Sequence, residues 1–417
     1  MKRSYSIAAS FLLLACMTSP VSAAVVLFQD KSSVETKTEE LPDQALEDPI
    51  GWLLQTAADG AALMPLQPHI KTRSRLQVTI VEAALAAGRE TFAAEQVSGI
   101  ANWRRGLAQA AIAVHFAEAG DRENAEQALA KAQSIEQGIT DEFDQGWRRD
   151  RVRVTIARAF ALLGDPKTAA AIQMNAVPSE AGRLAVLSAG TIPEKQLDKQ
   201  IGTLAEIATN GDMEQVKYAL LSMAELYGRF YESKERRDSI EALIRDKWKA
   251  MPLEPRIEVL EALASHDVSN GKLEHARAIA DEVKIIVTGN RWNLDQSVAM
   301  HGRAADLFSL TGQPDRARAL LADALGLYAK IQPKIVNIYR GGALRPIAES
   351  YVKLGDKAAA SDVYVRALEE ALDNPNSRPR AEDLVATCAS IVESGLEPKK
   401  PLLRSVATVR AKLGAPW

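Results

Sequence analysis

The chain has 417 residues, 47% apolar and 25% charged, enough to bury a large core and unlike a disordered composition. Fifty-one Lys and Arg against 54 Asp and Glu leave a net charge of -3, which excludes the basic footprint of a protein held on nucleic acid by phosphate neutralisation. Two cysteines, Cys16 and Cys388, exclude a disulfide framework or a cysteine metal cage, and with five scattered histidines no cofactor and no metal site are expected.

Residues 1–23 have the three parts of a secretory signal peptide. Lys2 and Arg3 precede an apolar run from Ile7 to Met17, and Val21-Ser22-Ala23 supplies small residues for cleavage before Ala24. So short a run cannot span a bilayer as a mature helix, and nothing later in the chain is apolar for long enough to do so. The expectation is an exported protein of the bacterial periplasm or cell envelope with no membrane span. Leu13-Leu14-Ala15-Cys16 resembles the lipobox of bacterial lipoproteins, which would make Cys16 a lipid attachment site; ordinary cleavage after Ala23 is the preferred alternative. Residues 24–50 are expected to be a flexible polar linker, because Gln29 to Asp48 is charged and almost without large apolar groups. Folding should begin near Trp52.

From 51 to 417 apolar positions recur at three and four, Ala, Leu, Glu, Arg and Lys abound, and runs of alternating β-branched residues are missing, so the segment is expected to be all-α. Gly88, Gly120, Gly164, Gly190, Gly271, Gly312, Gly355 and Gly395 punctuate successive amphipathic segments, with a Gly-less turn near Tyr231 to Lys234. Such spacing indicates helical-hairpin repeats. Trp103 to Ala132 aligned with the segment 44 residues on matches at eleven of thirty positions, Trp103/Trp147, Phe116/Phe160 and Gly120/Gly164 among them. Ala113, Ala157, Ala305 and Ala348 in first helices, with Ala125, Ala169, Ala317 and Ala360 in second helices, should let backbones approach closely. Phe116, Phe160, Phe308 and Tyr351 should fill the space beside each turn, and Asp121, Asp165 and Asp356 should cap the second helix.

Ile347, Ala348, Tyr351, Lys353, Leu354, Gly355, Asp356, Ala360, Tyr364, Ala367 and Leu368 together resemble a tetratricopeptide repeat, and four further copies are recognisable. The resemblance implies a TPR-like superhelix, an α-solenoid of stacked antiparallel hairpins curving around a concave surface that binds protein or peptide. The family's peptide-carboxylate clamp is not matched residue by residue.

Enzyme signatures are missing: no Gly-x-Gly-x-x-Gly after a strand, no phosphate-cradling Gly-x-x-x-x-Gly-Lys, no His-Glu-x-x-His, no calcium loop and no Gly-x-Ser-x-Gly. Gly341-Gly342 reads as a loose helix start. His266 and His275 flank a turn without a third metal ligand, and Glu39-Glu40 and Glu369-Glu370 read as solvated charges. Cys388, in an apolar helix, reads as a buried structural thiol. What stands out is Trp-Arg-Arg at Trp103 to Arg105 and at Trp147 to Arg149, with Tyr339-Arg340 in the corresponding place of a later copy. Arg105, Arg149 and Arg340 could form a basic ladder on the concave face that grips carboxylates, with Trp103 and Trp147 beside it. The competing and favoured reading has these residues locking adjacent hairpins together.

The function expected is therefore a non-catalytic binding scaffold that holds a protein or peptide on the concave face. The rival is a helical-toroid polysaccharide hydrolase or lyase, which would need carboxylates facing one another across an enclosed hollow. An open superhelix would argue against the rival, and a closed ring with facing Asp or Glu would revive it. A spacer presenting another module is unattractive, since no second folded segment is evident.

Overall fold

The computed structural model describes residues 41–139, 146–189 and 194–417. The signal peptide, Cys16, most of the expected linker and Gly190 lie outside the described residues. Twenty α-helices and no strand occur among those described. A short helix α1 (Asp43–Glu47) and α2 (Pro49–Leu63) are followed by successive hairpins. They are α3 (Leu66–Ala86) with α4 (Glu90–Val97), α5 (Arg104–Glu118) with α6 (Arg122–Gln137), and α7 (Gly146–Leu162) with α8 (Pro166–Met174). Next come α9 (Pro178–Ala189) and α10 (Leu197–Asn210), α11 (Met213–Arg229) with α12 (Lys234–Lys247), and α13 (Leu253–Ser269) with α14 (Leu273–Gly289). The array ends with α15 (Leu294–Leu310) and α16 (Pro314–Ile331), α17 (Asn337–Lys353) and α18 (Lys357–Leu372), and α19 (Ser377–Glu393) followed by α20 (Lys400–Ala411).

The hairpin physics expected from the repeats is present. Seven of the punctuating glycines, Gly88, Gly120, Gly164, Gly271, Gly312, Gly355 and Gly395, have φ between 64° and 86°, a conformation that disfavours any residue with a Cβ. Asp121, Asp165 and Asp356 accept hydrogen bonds from the backbone N–H three residues on, at 3.1, 3.0 and 3.1 Å. Ala113, Ala157, Ala305, Ala348, Ala125, Ala317 and Ala360 are fully buried where helices touch. Residues 41–50 depart from the linker reading: they include α1, and Ala45 is fully buried, so the folded body extends ahead of Trp52. Leu41 and Ile50 pack on the core beside Ala45, and Asp48 pairs with Arg89 at 2.8 Å.

Gly341-Gly342 is not a loose start. It lies inside α17, where a Cβ on Gly341 would come within 2.9 Å of Asp383 Oδ1 and 3.3 Å of the Ala367 carbonyl. The glycine permits α17 to sit against α18 and α19. In the same way Gly302 lets α15 approach the Pro346 turn of α17, and Ser350 Oγ donates to the Gly302 carbonyl at 3.0 Å.

The first helix of each hairpin packs on the first helix of the next, from α3 through α5, α7, α9, α11, α13, α15 and α17 to α19, and α19 packs back on α3. The solenoid therefore closes into a ring. Helix α2 completes the seam by packing on α19, α3 and α20. Its face of Trp52, Leu53, Leu54, Ala57, Ala58 and Ala61 is buried. Nine helices spaced about 9 Å apart enclose a circle whose open centre, inside the side chains, is on the order of 15 Å wide. All nine run the same way along the ring axis, so their positive ends share one rim and the glycine turns share the other.

Candidate functional site

The inner wall is stitched by ion pairs between consecutive first helices. Arg75 of α3 meets Glu382 of α19 at 3.1 Å, Arg345 of α17 meets Asp383 of α19 at 3.0 Å, and Lys217 of α11 meets Glu258 of α13 at 2.6 Å. Arg151 of α7 donates to Glu180 of α9 at 2.9 Å, and Arg183 of α9 lies 3.8 Å from Glu214 of α11. Arg303 of α15 pairs with Glu261 of α13, Lys353 of α17 with Asp306 of α15, and Arg158 of α7 with Glu118 of α5. Eight of the nine junctions carry such a pair among the described residues. The ninth, between α3 and α5, carries none.

Beside that gap, at the starts of α5 and α7, cations gather. Trp103 and Trp147 stand edge to face with ring centroids 5.5 Å apart, which brings the starts of α5 and α7 together. The Arg104 guanidinium lies over the Trp103 ring at 4.7 Å, and those of Arg148 and Arg151 lie over the Trp147 ring at 5.7 and 5.2 Å. Burial first, and then the charges of Arg75, Arg148 and Arg151, depress the Arg104 pKa. Arg148 Nε is buried without a hydrogen-bond acceptor. Arg104 is also the first residue of α5, where its charge opposes the macrodipole. The crowded guanidiniums, the unmet Nε–H and the charge at the helix start each cost stability, against the favourable ring contacts.

The less favoured of the two readings of Trp-Arg-Arg, a ladder of Arg105, Arg149 and Arg340, does not face the wall. At 3.6 residues per turn, Arg104 lies about 40° around α5 from Glu118, a residue of the inner wall, whereas Arg105 lies about 140° away. Arg149 is about half a turn from Arg158 and is drawn instead to Glu136 of α6, which Arg153 also contacts, at 2.7 Å. Arg340 likewise points away from the wall: it donates to the Ile335 carbonyl at 2.9 Å and meets Glu370 and Asp373 of α18 at 3.4 and 3.2 Å. Arg149 and Arg340 thus lock the inner helix layer to the outer one. Arg105 is exposed and has no ionic or hydrogen-bond partner among the described residues. The sequence reading missed Arg104, Arg148 and Arg151; the signal that could have found them is their spacing relative to Glu118 and Arg158.

Acids gather elsewhere on the wall. Burial raises the pKa of Glu261, against the pull of Arg303 and with help from Asp306 and Glu258. Burial likewise raises Glu349, which accepts a hydrogen bond from Ser390 at 2.5 Å. At the seam, burial and then Glu393 raise Glu82, and burial and then Glu349 raise Glu393, although both residues reach solvent. The ring therefore has a cationic sector at α3, α5 and α7 and an acidic sector running from α13 through α19 to the turn end of α3.

The two histidines beside the α13–α14 turn do not share a ligand site. His266 lies 3.7 Å from Glu225 of α11, while His275 Nδ1 lies 2.7 Å from Asp267 and its Nε2 3.5 Å from Glu241. Asp267 is fully buried and also accepts from Tyr227 and Tyr231 at 2.7 and 2.6 Å. These hydrogen bonds lift the His275 pKa to about 10, so this network is a locked imidazolium–carboxylate staple between α11, α12, α13 and α14. No group of three or more His, Cys, Asp or Glu among the described residues could hold a metal ion. Cys388 is fully buried, and burial pushes its thiol up to about 12. None of the described helices is long and apolar enough to cross a membrane.

No family model matches the chain, and no curated protein matches it. Among solved structures it is similar to a "circular tandem repeat protein with novel repeat topology and enhanced subunit contact surfaces". The two are 14% identical, with 89% of this chain and 96% of that chain covered, at a TM-score of 0.23. A superposition that loose bears on neither mechanism nor partner.

Proposed function

We propose that this protein is an exported, non-catalytic binding scaffold of the bacterial cell envelope, holding a protein or peptide partner at the inner face of its helical ring. The hairpins are read as tetratricopeptide-like, residues 1–23 as the export signal, and Cys16 as a lipid anchor only if processing takes the lipoprotein route. The observation that carries the reading is the division of labour on the wall. Its acids are mostly committed to cations on the next helix, whereas the guanidiniums of Arg104 and Arg148 have no acid partner among the described residues. Such a surface offers hydrogen-bond donors and aromatic edges to a ligand.

Closure changes the geometry of capture. A partner cannot be wrapped by an open superhelix; it must enter the central opening or lie on a rim. The test is photocrosslinking in envelope extract from a probe residue at Glu393, on the wall, and from one at Lys131, on the outer helix α6. Protein adducts at Glu393 and none at Lys131 are expected. Equal labelling at both positions would contradict the proposal.

Closure, together with carboxyls of raised pKa at Glu261 and Glu349, also favours the rival polysaccharide hydrolase or lyase. Its test is release of reducing ends from a panel of envelope polysaccharides. No release is expected; release abolished by Glu261→Gln or Glu349→Gln would put the enzyme in place of the scaffold.

A further inference from the structure

Around the inner wall, a cation on one helix is answered by an acid on the next at eight junctions, and the pattern breaks where α3 meets α5. Beside that break, at the starts of α5 and α7, three guanidiniums surround one pair of indoles, and Arg104 and Arg148 have no carboxylate within reach among the described residues. Arg75 and Arg151, the nearest further cations, are already engaged by Glu382 and Glu180.

Like charges brought together at a helix start destabilise the free protein, and that cost is recovered when an anion enters. The edge-to-face indoles hold the guanidiniums beforehand, so less side-chain entropy is lost on binding than with free arginines. Planar forks of this kind suit carboxylates, which accept two parallel hydrogen bonds.

We propose that Arg104 and Arg148, held by Trp103 and Trp147 and flanked by Arg75 and Arg151, form a receptor for the side-chain carboxylates of an acidic peptide segment. This rests on the scaffold reading above and narrows it to one sector of the wall and one ligand chemistry. The occupant is a peptide and not an acidic glycan because Trp147 already carries two guanidiniums and Trp103 one, which leaves less bare ring for a sugar to stack on.

The test uses the full mature chain and fluorescence anisotropy of a labelled Glu/Asp-rich peptide, with the same peptide carrying Gln and Asn in place of its acids, and oligogalacturonate as competitor. The acidic peptide is expected to bind and to weaken with added salt, and the amide peptide not to bind. Arg104→Gln with Arg148→Gln should reduce affinity roughly tenfold or more, while thermal stability holds or rises as repulsion is relieved. Arg149→Gln, which breaks the contact to Glu136 away from the wall, should leave affinity unchanged. Protection of Arg104 and Arg148 from phenylglyoxal by the peptide gives the same answer on the unaltered protein. Unchanged affinity in the double variant, equal binding of the amide peptide, tighter binding of oligogalacturonate, or no protection would overturn the proposal. If adducts still form at Glu393 in those cases, the scaffold reading survives and only the acidic-peptide receptor is lost.

Discussion

A Cβ built on Gly60 of α2 would lie 3.1 Å from Leu384 Cδ2 of α19, so helices near opposite ends of the described residues are in van der Waals contact. The same Cβ would lie 3.3 Å from Leu413 Cδ1. The seam is thus packed as tightly as an internal hairpin junction. Gly60→Leu should therefore cost about 1–3 kcal/mol by overpacking, seen as a lower denaturation midpoint. In an open array α2 would have a free face there, and the substitution would be close to neutral.

Arg340 should behave as a structural group and Arg105 as a solvated one. Arg340 has a side chain only 14% exposed and Glu370 one of 9%, so Arg340→Ala leaves a carboxylate with Gln332 as its main remaining donor. The expected loss is roughly 3 kcal/mol, the scale for breaking a largely buried pair. Arg105→Ala, at an exposed position without a partner, should stay within about 0.5 kcal/mol. Urea denaturation of both variants measures the difference.

The His275 staple predicts an alkaline limit. A base whose pKa rises on folding, here from 6.5 to about 10, stabilises the fold fully below its unfolded value and stops doing so as pH climbs through its folded value. Asp267 works with the opposite sign. Burial pushes its pKa up, but hydrogen bonds from His275, Tyr231 and Tyr227 win and hold it below 3.8, so its contribution appears above that pH and fades in stronger acid. Denaturation midpoints should accordingly fall between pH 7 and 10.5 in the native chain. In His275→Gln that alkaline decline should flatten, and a decline of equal size would show that the staple does not govern it.

Much of the hairpin was legible in the sequence because its determinants are local. Gly120 and Gly164 mark turns that need positive φ, Asp121 and Asp165 cap three residues ahead, and Ala113 and Ala157 repeat at the spacing of a close contact. Closure was not legible, since Leu384 meets α2 through the same apolar faces that any two hairpins use, and no local rule distinguishes a neighbour from an end. One clue was present: an open solenoid needs a polar outer face on its terminal helix, and α2 offers Trp52, Leu53, Leu54 and Ala57 instead. The wall was misread for a simpler reason. Successive residues on a helix differ by 100°, so choosing Arg105 and Arg149 over Arg104 and Arg148 exchanged the face that lines the ring for one that does not.

The most direct measurement is the distance between spin labels placed at positions 75 and 382, where Arg75 and Glu382 meet at 3.1 Å, in a chain whose Cys16 and Cys388 are replaced by Ala. The ring predicts one narrow, short distance in solution that persists until global unfolding. A broad distribution at long distance would mean the array is open, and the wall, its unpaired arginines and the receptor built on them would fall with it.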